Sequence, residues 1–180
     1  MPRHLATIAL IALMLAQPLR ATDATAPIVM VDAKVDAFAA RLHSYVDYCR
    51  TSAKPEYAVD CLSERLDFAA ASLGNYGWQR DVKAALRASA RRLDAVTAKY
   101  ADPAKPALTL RAANNAIVSA RPIQPVARAN VTRATAAAAA VLEETQFTLL
   151  RSADTSGANA LAFAQVAAVV GSAKVLLRSA

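Results

Sequence analysis

The sequence predicts an all-α fold, an antiparallel up-down bundle of four long helices with a short helix in the connection over residues 103–125. Three observations predict it. Apolar residues recur at spacings of three and four, which keeps one stripe of a helix facing a partner and which no strand reproduces. Alanine supplies 46 of 180 residues and glycine only four, so the commonest residue is the best helix former and one of the poorest is nearly excluded. Proline or glycine stands where each apolar stripe stops.

In chain order, the first segment is for targeting. Arg3 and His4 precede an apolar run from Leu5 to Ala16, and small residues follow at Ala21, Thr22 and Ala24. A short basic region, an apolar stretch of that length and a small-residue cleavage zone form the secretory signal pattern. The run is shorter than the roughly 20 apolar residues a bilayer span needs. The expected division is a signal peptide over 1–21 and one helical domain over 22–180.

The first seam, Val31, Val35, Phe38, Leu42, Tyr45 and Cys49, is followed by Pro55. Glu56 and Asp60 then sit where a helix amino terminus favours negative charge. Val59, Leu62, Leu66, Ala69 and Leu73 form the second seam, and Gly74 is placed to cap it in the left-handed conformation. Val82, Leu86, Ser89, Leu93, Val96 and Tyr100 form the third, which Pro103 stops. Between Pro103 and Pro125, Leu110, Ala113, Ile117 and Ala120 would share one face of a short helix, and a crossover loop is the alternative. Helix resumes from Pro125 to Arg151, and a last helix runs from about Ala158 to Arg178 along Phe163, Val166, Val170, Ala173 and Leu177.

Cys49 and Cys61 are the only cysteines. An even count in an exported chain is read as a disulfide, because that compartment is oxidising. The pair would join the end of the first helix to the start of the second.

Residues 22–180 carry 19 Lys and Arg against 14 Asp and Glu, and the excess lies in the carboxy-terminal half. A basic half on an exported protein suits an acidic protein partner, an anionic membrane or a cell-wall polymer. Export argues against nucleic acid, and no aromatics interleave with the bases as single-strand binding would require.

Two patches carry these readings. Arg80, Lys83, Arg87 and Arg91, joined by Arg92, run down one side of the third helix and could meet an anionic surface, unless Asp94, Asp81 or an acid of the first hairpin compensates them. Tyr76 and Trp78 lie in the turn after Gly74, where aromatics can anchor a partner or plug the end of a bundle. Ala164, Ala168 and Ser172 form a small-residue row on the apolar segment 158–178, of the kind that supports self-association or membrane packing, although a core helix is equally apolar.

No catalytic residue is assigned. The sequence holds no Gly-x-Ser-x-Gly, phosphate loop or dinucleotide fingerprint, and Glu143 and Glu144, being adjacent, point about 100° apart. His43 with Asp47 makes an incomplete metal site. Neither metal nor cofactor is expected. The functional expectation is an exported helical protein that binds another macromolecule as inhibitor, adaptor or assembly factor. Binding to anionic lipid or wall polymer is the alternative, and an enzyme without a recognisable motif the third.

Overall fold

The computed structural model describes residues 26–179, with side chains from 33 to 177. The segment read as a signal peptide lies outside the described residues. Those residues form five α-helices: α1 (Ala26–Ser52), α2 (Ala58–Ala71), α3 (Gly77–Lys99), α4 (Val131–Thr155) and α5 (Ala160–Ser179). The fold is all-α. Each helix packs on its neighbours in sequence, and α5 packs back on α1, so five helices surround one core instead of four.

The short connections make neighbours antiparallel. Cys49 of α1 meets Cys61 of α2, while Tyr45, one turn earlier, meets Arg65 and Phe68. Ser63 of α2 lies against Ala90 of α3, and Leu73 against Lys83. Glu143 of α4 faces Lys174 of α5. Paired numbers rise on one helix as they fall on the next.

The heptad seams are the core. Val35, Phe38, Leu42 and Cys49 are buried on α1, Val59, Leu62, Leu66 and Ala69 on α2 with Leu73 just past its end, and Val82, Leu86, Ser89 and Leu93 on α3. The Cys49 and Cys61 sulfurs are 1.95 Å apart and fully buried. The apolar α5 is packed along α4 and α1 through Phe163, Val166, Val170, Ala173 and Leu177. It is long and apolar enough to cross a membrane, by length and composition only.

The connection over 103–125 holds no helix. Residues 101–127 form instead a bent arm whose two limbs touch at three isolated antiparallel bridges, Ala101 with Val126, Leu108 with Ile123 and Arg111 with Val118. Leu108 and Ile123 exchange both backbone hydrogen bonds at 2.9 Å. Prolines at 103, 106, 122 and 125 explain why neither helix nor continuous ladder forms, since each removes an N–H donor and fixes φ. Asn115 turns the tip with φ +56°, and the Asn114 side chain accepts from the Ala116 N–H.

Gly74 also departs from expectation. At this junction the glycine with a left-handed backbone is Gly77, at φ +51°, where the chain turns into α3. Gly74 instead donates its N–H to Gln79 Oε1 at 2.7 Å, and Ser72 ends α2.

Candidate binding cleft

The arm is clamped to the start of α2 by acids spaced four apart, Glu56 in the single 3-10 turn Pro55–Tyr57 that leads into the helix and Asp60 and Glu64 on one face of the helix itself. Glu56 accepts from Lys105 Nζ at 2.9 Å, and its backbone carbonyl from Val126 N–H at 2.8 Å. Arg121 forks onto Asp60, which also accepts from the Gln124 N–H at 2.6 Å. Glu64 accepts from the Ala120 N–H at 2.8 Å. The hydrogen bond from Lys105 holds the Glu56 carboxyl below its ordinary range, and the bond to Asp60 pushes the Arg121 guanidinium further up.

Beneath the clamp, Glu64 and Arg65 form a buried ion pair. The Arg65 guanidinium lies among three rings, with its carbon 5.3 Å from the centre of Tyr45, 5.6 Å from Tyr48 and 4.6 Å from Phe68. Such an arrangement lets a buried cation exchange water for aromatic faces. Burial pushes the Tyr48 phenol up, and the neighbouring Arg65 charge partly offsets it.

Between α2, α3 and the arm lies an open cleft of about 620 Å³. One wall is the α2 face of Ser63, Asp67, Phe68 and Ala71; the other is the α3 face of Arg87, Ala90, Arg91 and Asp94. Both sets follow helical spacing, which is why two antiparallel helices can line a single groove. Arg121 crosses its end to reach Asp94 Oδ1 at 2.9 Å, and beyond it a second hollow of about 530 Å³ continues past Thr97 and Ala98.

The acids of this cleft are mostly committed. Glu64 is held by Arg65 and Ala120, and Asp94 by Arg121 and by Ser63 Oγ at 2.6 Å. Asp67 reaches Arg87 only at 3.9 Å, with both side chains largely exposed. Arg91 forms no ion pair with any described residue. Phe68, at 44% exposure, offers an apolar surface beside these bases.

The predicted stripe therefore divides. Arg87 and Arg91 face the cleft. Arg80 pairs with its neighbour Asp81, Arg92 pairs with Glu144 of α4 at 2.5 Å, and Lys83 donates to the Leu73 carbonyl and Asn75. The turn divides too: Trp78 is buried against Phe38, with ring centres 6.0 Å apart, while Tyr76 stands 86% exposed. His43 lies on the outer face of α1, 3.4 Å from Asp47. Among the described residues no three metal-binding side chains gather.

Glu64, Phe68 and Arg121, which line the cleft, were not singled out in the sequence, and Asp60, which anchors Arg121, was read only as a charge at a helix amino terminus. The signal available was the spacing of Glu56, Asp60 and Glu64 together with charges inside an otherwise buried seam.

The arrangement is a five-helix, all-α fold with a partly basic, partly aromatic groove. No family model matches the chain, and no curated protein and no solved structure matches it either.

Proposed function

We propose that this is an exported protein that acts by binding another protein, as an inhibitor, adaptor or assembly factor, through the cleft between α2, α3 and the arm. The observation that carries this reading is Arg91, a cation without an ion-pair partner among the described residues, beside loosely held Arg87 and exposed Phe68. Like charges one helical turn apart repel unless something neutralises them, and an acidic partner supplies what the chain does not. Export is supported by the basic–apolar–small pattern of the first residues and by a cysteine pair at bonding distance, which suits an oxidising compartment.

The test is capture from the exported fraction on the immobilised chain, beside a variant carrying Arg87→Glu and Arg91→Glu. A protein retained by the native chain, released by salt and lost with the variant is the expected result. Retention indifferent to both substitutions overturns this use of the cleft. Salt-reversible sedimentation with anionic vesicles, without a protein partner, would instead favour surface attachment.

A further inference from the structure

We infer that the cleft takes an extended peptide segment of the pattern acidic–apolar–acidic; this rests on the binding function proposed above and specifies the chemistry of the partner. Arg87 and Arg91 are four residues apart on α3, so their origins are separated by about 6 Å along the helix axis. Alternate residues of an extended chain are separated by about 6.6 Å and project to the same side. A strand lying along α3 therefore brings carboxylates at positions i and i+2 to the two guanidiniums in turn.

The residue between them points the opposite way, towards α2. There the cleft presents Phe68 and Ala71, an apolar surface next to the Arg65 guanidinium. From Arg87 to Asp94 the α3 wall runs about 10 Å, the length of three extended residues. At that end Arg121 and Asp94 close the site against each other, and neither is left to bind the segment. Asp67 is the one acid the ligand must displace, and its 3.9 Å separation from Arg87 in solvent makes that contact weak. A helix would need its carboxylates at i and i+4 to meet the same two guanidiniums, so the i, i+2 alternation is the mark of an extended ligand.

The experiment measures fluorescence anisotropy of short labelled peptides, acetylated and amidated, containing Glu-Phe-Glu or its isomer Glu-Glu-Phe, at low salt. Charge and composition are identical, so only the alternation differs. The alternating peptide is expected to bind several-fold more tightly. Arg91→Ala should weaken it about tenfold, the scale of one charge-assisted hydrogen bond. Phe68→Ala should weaken it by a smaller factor, while Arg133→Ala, which removes an equal charge on α4, should leave it unchanged. Equal binding of the isomer, or indifference to Arg91→Ala, overturns the inference. Vesicles of phosphatidylglycerol binding where neither peptide does would overturn it in favour of a lipid headgroup. If a partner is captured in an Arg91-dependent way while Glu-Phe-Glu fails to bind, the cleft remains a binding site and the alternation rule is rejected; loss of both results removes both proposals.

Discussion

Arg121 of the arm grips Asp60 of α2 with two nitrogens, Nη1 lying 2.7 Å from Oδ2 and Nη2 2.9 Å from Oδ1. The two residues are 61 positions apart, and the carboxylate is 4% exposed. A forked contact of this kind fixes direction as well as distance. It determines where the arm lies, and with it one end of the cleft.

Asp60→Ala is expected to cost about 3 kcal/mol, because it strands the Gln124 N–H and removes the principal acceptor of Arg121 in a buried setting. Arg121→Ala should cost a similar amount, about 2–3 kcal/mol, since it leaves the buried Asp60 carboxylate with the Gln124 N–H but without its cation. Urea unfolding gives the totals. Amide exchange should localise the effect, with the N–H groups of Ala120 and Gln124 exchanging faster in both variants. An Asp60→Ala protein of native stability would show that the arm is held by its apolar residues alone.

Arg65 is expected to reject lysine. Its planar group contacts three rings and binds both oxygens of Glu64, which an ammonium cannot reproduce. Arg65→Lys should lose about 2 kcal/mol and Arg65→Met about 3–4 kcal/mol, the latter because Glu64 is left buried and uncompensated. Combining Glu64→Gln with Arg65→Met should restore at least about 1 kcal/mol over Arg65→Met alone. A double variant whose losses simply add would sink the idea that the pair is coupled.

The Glu56–Lys105 contact predicts a pH dependence with a defined sign. Lys105 holds the folded Glu56 carboxyl below its ordinary value of 4.5. A carboxyl depressed in the folded state binds protons more readily when unfolded, so its contribution is complete above about pH 4.5 and fades as pH falls through the lower folded value. Glu56→Gln should therefore lower stability at pH 7 by about 1 kcal/mol, as for a partly exposed pair, and the difference from the native chain should shrink towards pH 3. A difference constant from pH 7 to pH 3 would rule this out.

The helical core was legible because its signal is local. Val59, Leu62, Leu66 and Ala69 repeat within α2, Leu73 follows just past its end, and each is buried. The arm was not legible, for the opposite reason. Leu110, Ala113, Ile117 and Ala120 match helical spacing, yet Leu110 bonds to Ser119 across the arm, and four prolines leave the backbone without the donors a helix needs. What fixes the arm is its contact with Glu56, Asp60 and Glu64, some 49 to 64 residues earlier, and periodicity carries no information over such separations. Glu56 and Asp60 looked like charges suited to a helix amino terminus; their side chains are spent on the arm. Arg87 and Arg91 were found as part of a stripe, but the sequence could not show that Arg80, Lys83 and Arg92 turn to partners elsewhere.

Gly171, on α5, sets two effects of opposite sign against each other. A Cβ built there would meet the end of the Gln146 side chain of α4, its amide nitrogen, carbon and oxygen all crowding the site. Glycine inside a helix costs about 1 kcal/mol relative to alanine, through the freedom it must surrender on folding. The obstructing atoms belong to the far end of a flexible side chain, which can rotate aside for a small cost. Gly171→Ala should therefore be neutral to stabilising, by up to about 1 kcal/mol. Gly171→Leu asks for more than a rotamer change, because the branched side chain must enter the α4–α5 contact itself, and it should lose about 1–3 kcal/mol. Thermal unfolding of both variants checks the pair. A destabilised Gly171→Ala would mean that Gln146 is held too firmly to yield, and combining it with Gln146→Ala should then recover the loss.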